Sequence, residues 1–272
     1  MRLNLIYLQS VTSFLILPTR DFSFRHQHLK SGGRDATVVF QPTASIMKLT
    51  SYGHSCFSVQ VNGKTLLFDP FIRANELAAS VDFSAIQVDY ILITHGHFDH
   101  IDDAVELAKQ TKATVIANFE IYQWLQGHGL TDVHPMNLGG SATFPFGRVK
   151  MVQALHSSVL PDGAYGGAPA GFVIESGHDA FYYAGDTALT LDMQLIGEEF
   201  TLRFAVLPIG DNFTMGVKDA TRAMTLLKCR QIVGVHYDTF PPIRIDHEAA
   251  KAEFEKAGGK LYLVPIGTSL EM

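Results

Sequence analysis

Three imidazoles and a carboxylate fall within six residues, at His95, His97, Asp99 and His100. A solvated surface would use Lys and Glu, and a core would not bury such groups without partners, so the density points to metal ligation. His95 and His97 are two apart in extended chain, which turns both side chains the same way and lets them share one ion. Asp99 and His100 follow at the mouth of a helical pattern and face a second position. Imidazole and carboxylate ligands suit zinc first, with manganese or iron(II) as alternatives.

The elements that carry these residues show where further ligands should lie. The apolar run Val88–Thr94 delivers His95 at its end, and Val149–Leu155 delivers His156. Phe181–Gly185 leads to Asp186, and Gln231–Val235 leads to His236. Strands of an α/β sheet present functional groups in the crevice outside their carboxyl ends. Four strands ending in His, His, Asp and His therefore imply a dinuclear centre. Asp186 is the natural bridge, because one carboxylate can offer an oxygen to each of two ions about 3.5–4 Å apart.

Composition bounds the alternatives. The chain of 272 residues is 47% hydrophobic and 18% charged, as expected for a packed globular protein. Its net charge of −6 disfavours nucleic-acid binding through a general basic surface. The two cysteines, Cys56 and Cys229, form no C-x-x-C motif, which suits a reducing compartment such as the cytoplasm and excludes a thiolate-rich zinc site. The stretch Leu3–Leu17 is too short and too polar to span a membrane.

Residues 1–46 differ in character from the rest: an interrupted apolar run precedes a basic stretch containing Ser31-Gly32-Gly33. The expectation is a disordered extension, with Met47 as the natural start and 47–272 as one domain. The extension holds five Lys/Arg and two Asp/Glu, so the remainder carries −9. From Met47 the pattern is strand-rich and then alternates strand with helix. Asn62-Gly63 predicts a two-residue type I′ hairpin turn. Helices are predicted over Ile101–Gln110, Glu120–Gln126, Leu189–Phe200, Lys218–Lys228 and His247–Ala257. Strands are predicted at Thr114–Ala117, Gly171–Glu175, Phe204–Ile209 and Leu261–Pro265, with a hairpin over Ala142–Leu155. Ser157–Pro169, rich in Gly and Pro, reads as a mobile loop, either a flap over the site or a plain connection.

The motif His95-x-His97-x-Asp99-His100, followed by His156, Asp186 and His236, resembles the metallo-β-lactamase superfamily across nearly all of 47–272. Gly53-His54-Ser55-Cys56, Leu67-Phe68-Asp69-Pro70, Ala184-Gly185-Asp186-Thr187 and Leu207–Gly216 resemble its branch of metal-dependent hydrolases, similar to the ascorbate-6-phosphate lactonases. Domains of that branch begin at a position matching Met47. The resemblance implies an α/β fold, a four-layer αββα sandwich with the site at one edge of its two sheets. It implies a first metal on His95, His97 and His156, a second on Asp99, His100 and His236, and Asp186 shared. Asp69 matches a position that orients a ligand histidine.

The implied activity is hydrolysis of a small-molecule phosphoester or lactone by a water or hydroxide held between two ions, with Asp99 orienting or deprotonating it. His54 and Asp211 are candidate proton donors or substrate contacts; the alternatives are loop-capping for His54 and a helix cap ahead of 217–229 for Asp211-Asn212. The runner-up is a ribonuclease or phosphodiesterase of the transfer-RNA-processing kind. It is disfavoured by Gly210-Asp211-Asn212-Phe213 where a His-Glu-Ala-Thr segment would stand. An oxidoreductase of the diiron flavoprotein type would carry Glu in place of His97, and a β-lactamase would carry Cys in place of Asp186. No membrane partner is expected, and self-association is left open.

Overall fold

The computed structural model describes residues 47–272. The expectations for residues 1–46 lie outside the described residues.

The first half of the domain opens with strands β1 (Lys48–Gly53), β2 (Cys56–Val61), β3 (Lys64–Phe68) and β4 (Tyr90–Leu92). Helices α1 (Phe98–Ile101) and α2 (Ala104–Thr111), strand β5 (Thr114–Asn118), helix α3 (Phe119–Gly127) and strand β6 (Val133–Met136) follow. The second half comprises β7 (Ser141–Phe144), β8 (Gly147–Gln153), β9 (Ala170–Ser176), β10 (Asp179–Tyr183), α4 (Asp192–Glu199) and β11 (Leu202–Pro208). It closes with α5 (Val217–Leu226), β12 (Gln231–Val235), α6 (His247–Lys256), β13 (Lys260–Tyr262) and β14 (Ser269–Glu271).

These strands form two seven-stranded sheets, ordered β14-β1-β2-β3-β4-β5-β6 and β13-β12-β11-β10-β9-β8-β7. The period of two along each strand explains the layers. In β3, Leu66 and Phe68 enter the core between the sheets, whereas Leu67 faces the helices outside. In β11, Phe204 and Val206 point inward, and Ala205 and Leu207 pack outward under α4, α5 and α6. The result is the four-layer αββα sandwich. Stacked rings, Phe57 on Phe68 and Phe181 on Phe204, fill the central layer, with centroids 4.7 and 4.8 Å apart.

Parallel pairing aligns the strand ends. Phe68 lies opposite Leu92, Tyr183 opposite Val206, and Pro208 opposite Val235. Asp69, His95, Asp186 and His236 therefore leave their strands at the same edge of the sandwich. The Asn62-Gly63 turn has both residues at positive φ, 48° and 72°, as a type I′ turn requires.

Three sequence expectations are corrected. The helix expected over Ile101–Gln110 is two, α1 and α2, separated at Asp103. The buried Asp103 carboxylate accepts from the Ile72 and Arg73 amides and from Arg73 Nε, tying the 70–75 loop to this junction. The helix expected from Leu189 begins at Asp192. Ser157–Pro169 is not a free loop: Asn118 Nδ2 donates to the Gly166 and Ala168 carbonyls, Trp124 Nε1 donates to Asp162, and Val159 pairs with Tyr165. Cys56 and Cys229 are buried free thiols. Among the described residues, no helix is long and apolar enough to cross a membrane.

Candidate metal centre

The site is built from strand ends whose backbone takes conformations that most residues avoid. His54, Asp69 and His236 have φ of 52°, 43° and 56°. Asp and His tolerate this left-handed region better than most side chains, and such strain is retained where neighbouring structure enforces it. The His236 amide, for example, donates to the His54 carbonyl at 3.0 Å, joining the two sheets at the site. Gly185, directly before Asp186, has φ of 62°, and a Cβ there would lie 2.5 Å from the Ala170 carbonyl oxygen. Only glycine fits that approach.

Among three groups of possible ligand atoms, His95, His97 and His156 form one and Asp99, His100 and His236, together with His54, another; the third joins Asp69 to His95 and His100. Asp186 lies between the first two: its Oδ2 is 3.9 Å from His95 Nε2, 3.6 Å from His156 Nε2, 3.3 Å from His100 Nε2 and 2.9 Å from His236 Nε2. All seven residues predicted from the sequence are thus brought together.

Asp69 organises this centre from beneath. Its fully buried carboxylate accepts from the Thr94 amide (2.8 Å), Thr94 Oγ1 (2.6 Å), His100 Nδ1 (2.9 Å) and Tyr183 Oη (2.6 Å). The bond to His100 Nδ1 fixes the tautomer and leaves Nε2 toward Asp186, the carboxylate–histidine arrangement found behind metal ligands. Thr94 extends the same logic. Its hydroxyl proton goes to Asp69, so Thr94 Oγ1 accepts from His95 Nδ1 at 3.0 Å. His95 Nε2 is then a lone pair, 2.9 Å from His97 Nδ1.

The electrostatics fit a cation. Burial pushes the His95 imidazole well below its ordinary pKa, helped by His100, and burial likewise lowers His97 and His156. These are neutral donors at neutral pH. Burial would raise Asp186 and Asp99, yet the surrounding imidazoles hold both below the carboxylate range: His100 and His236 act on Asp186, His54 and His100 on Asp99. Burial would lower His100, but Asp186 and Asp69 hold it well above its usual value, so a cation binding there would displace a proton. His100 Nε2, Asp186 Oδ1 and His236 Nδ1 are buried with no hydrogen-bond partner. Of these, His100 Nε2 faces Asp186 and is the kind of orphaned atom that ligation by a cation would satisfy, whereas His236 turns Nε2 and not Nδ1 toward Asp186.

His54 and Asp211 part company here. His54 Nε2 lies 3.1 Å from Asp99 Oδ2, and its Nδ1 lies 2.9 Å from Thr239 Oγ1. Because Asp99 is held ionised and only accepts, His54 Nε2 carries the proton and Nδ1 accepts from Thr239. Burial depresses its pKa to about 4, so it stays neutral. Asp211 sits apart from both ligand groups. Its carboxylate lies beside Gly216, the N-cap of α5, and accepts from the Asn212 amide at 2.8 Å, which links it to the helix approach. Thr94, Tyr183 and Thr239 were not singled out from the sequence, because each acts through a partner that only folding brings near.

Fold and site together define a protein of the two-sheet sandwich class with a His/Asp metal-binding cluster at the sheet edge. The family model described as "Beta-lactamase superfamily domain" matches residues 64–237, a span that contains all seven ligand candidates. A "UPF0173 metal-dependent hydrolase" from Methylacidiphilum infernorum is 52% identical over 82% of this chain and 99% of its own length. Another of the same description, from Christiangramia forsetii, is 51% identical over 83% of this chain and 100% of its own. The solved structure of Igni18, described as a novel metallo hydrolase from Ignicoccus hospitalis, matches with a TM-score of 0.77 at 36% identity, covering 84% of this chain and 99% of that one. The chain belongs to the beta-lactamase superfamily, among the UPF0173 metal-dependent hydrolases.

Proposed function

We propose that the chain is a dinuclear metal-dependent hydrolase, most consistent with zinc, acting on a small-molecule lactone or phosphoester. The observation that carries this reading is Asp186 Oδ2, within 2.9–3.9 Å of four imidazole nitrogens belonging to both ligand groups. His95, His97 and His156 would hold one ion and Asp99, His100 and His236 the other, with Asp186 common to both. Such ions, when bound, supply an acidified water and polarise the oxygen of the bond under attack.

The chain's own residues do the rest. Asp99 keeps one face toward the opening and is oriented by His54, which is held in turn by Thr239. That pairing leaves the Asp99 carboxylate ionised and able to accept a proton from an approaching water. Neutral His54, already donating through Nε2, keeps the carboxylate from rotating away. The curated relatives' shared description as metal-dependent hydrolases supports the reaction class. The acidic balance of residues 47–272 favours a small molecule over a nucleic acid.

Hydrolysis of lactone and phosphodiester panels, measured before and after chelation and with His97→Ala and Asp186→Ala, tests this reading. Activity should fall with metal content and return on adding zinc to the native sequence. A variant that has lost its metal and keeps its activity would refute it.

A further inference from the structure

Residues 157–169 form a strap that two consecutive serines bring against the ligand cluster. Ser158 Oγ accepts from the Gly96 amide at 3.0 Å, inside the His95-Gly96-His97 turn. Ser157 Oγ lies 3.3 Å from His97 Nε2. Packing fixes the strap in this place. Leu160 is buried against Gly96, where a Cβ would lie 3.1 Å from Leu160 Cδ2. The two chains pass so closely that a Cβ on Gly166 would collide with Ser158 Oγ and lie 3.3 Å from Gly96 Cα. Within the strap, the Gly166 amide donates to the Ser158 carbonyl at 3.2 Å and the Leu160 amide to the Ala164 carbonyl at 2.8 Å. Ser157 is thus an exposed residue held at a set distance from a ligand candidate.

Two neighbouring imidazoles already have a partner on their outer nitrogen. Asp69 holds His100 Nδ1, and Thr94 holds His95 Nδ1. Those partners leave Nε2 of each ring toward Asp186. His97 is turned the other way round: its Nδ1 lies 2.9 Å from His95 Nε2, so Nε2 is its outer nitrogen. Asp69 only accepts, and the Thr94 hydroxyl gives its proton to Asp69, so His100 and His95 keep a proton on Nδ1. Ser157 differs from both, because an uncommitted hydroxyl can donate as well as accept. It can accept the Nε2 proton of His97 and leave a lone pair on Nδ1. It can equally donate to Nε2 while Nδ1 donates to His95 Nε2.

The strap does not need Ser157 for its own fold. Ser158, Leu160 and Asn118 pin it from below, and Asp162 accepts from the Ala164 amide and from Trp124 Nε1. Among the described residues, the side chain of Ser157 bonds only His97. Ser157 also directly follows His156, so one short segment supplies a ligand candidate of the first group and the outer partner of another.

We infer that Ser157 is the positioning residue of His97: its hydroxyl accepts the Nε2 proton and so keeps the Nδ1 lone pair directed into the group formed with His95 and His156. This inference rests on the dinuclear hydrolase reading above and adds that the affinity of the first ion depends on the strap. The second ion is independent of it, because His100 is held by buried Asp69. Without the hydroxyl, the His97 ring settles in the opposite tautomer, with Nδ1 donating to His95 Nε2. That tautomer withholds the ligand atom of His97 and also occupies the lone pair of His95.

The test uses the full-length protein, native and with Ser157→Ala or Ser157→Thr. Zinc affinity and stoichiometry are measured by competition with a chromophoric chelator, and nitrogen NMR of histidine-labelled protein reports which ring nitrogen carries the proton. With zinc bound, His97 of the native protein should carry its proton on Nε2. Ser157→Ala should weaken one of the two zinc equivalents about tenfold or more and leave the other within about twofold. Ser157→Thr, which keeps the hydroxyl, should restore native affinity. The position is exposed, so neither change opens a core cavity. Native binding of both equivalents by Ser157→Ala, equal weakening of both, or failure of Ser157→Thr to restore affinity would overturn this inference and leave the hydrolase reading standing. So would a His97 proton on Nδ1 in the zinc-bound native protein. A native protein that binds fewer than two equivalents of zinc would overturn both.

Discussion

Asp69→Asn is the substitution whose consequences can be worked furthest from the geometry. The carboxylate accepts four hydrogen bonds: Thr94 N reaches Oδ1, while Thr94 Oγ1, His100 Nδ1 and Tyr183 Oη reach Oδ2. An asparagine presents one acceptor oxygen and one NH2 donor. With its oxygen at the Oδ2 position, the NH2 group meets the Thr94 amide, donor against donor. With the amide flipped, three donors lose their acceptor. Hydrogen bonds to a charged acceptor contribute about 1.5–3 kcal/mol each, and a buried donor left unpaired costs about 1–3 kcal/mol. The less damaging orientation therefore predicts destabilisation of about 3–5 kcal/mol.

The same change frees the His100 ring and breaks the Thr94 relay that sets the His95 tautomer. Loss of such a supporting contact typically weakens metal affinity by about 10–100-fold. Guanidinium unfolding of the metal-free protein gives the first quantity, and competition against a chromophoric chelator gives the second. A loss below about 1 kcal/mol with unchanged zinc affinity would refute the role assigned to Asp69.

Two further outcomes follow from the same geometry. His54→Ala should lower kcat by about tenfold or more with metal content retained, because His54 positions Asp99 without offering it a lone pair; loss of one equivalent of metal would make His54 a ligand instead. The metal-free protein should lose stability on acidification from pH 7 to 5. The folded-state pKa values of His54, His95, His97 and His156 are all depressed, so the unfolded chain takes up protons near pH 6.5 that the folded one refuses, and for His54 the loss continues to about pH 4. His100, whose pKa is raised, opposes this trend as a single group. A thermal midpoint that rises as pH falls across this window would contradict the burial assigned to the four depressed histidines.

The ligand candidates were legible in the sequence because His95, His156, Asp186 and His236 follow apolar strands and His97, Asp99 and His100 crowd beside His95, and the strand pattern survives as a period-two alternation that residues such as Leu66, Leu67 and Phe68 obey. What escaped depends on distant partners. Thr239 meets His54 across 185 positions, and Tyr183 meets Asp69 across 114. The short edge strands β6 and β14 were also missed: β6 contains Pro135, which a sheet tolerates at its edge, and β14 is three residues long. The break at Asp103 was hidden because Asp102 and Asp103 suit the first turn of a helix beginning at Ile101, and only the Ile72 and Arg73 amides reveal why the chain turns there. The Gly-rich loop after His156 looked free because its anchors, Asn118 and Trp124, lie on and after another strand.

The central claim is that one carboxylate, Asp186, is shared by two ions. Crystals of zinc-reconstituted protein, measured on both sides of the zinc absorption edge, address it directly. The account predicts two anomalous peaks per chain, about 3.5–4 Å apart, one among His95, His97 and His156 and the other among Asp99, His100 and His236, with Asp186 between them. A single fully occupied peak, or two peaks that leave Asp186 outside their coordination, would contradict it.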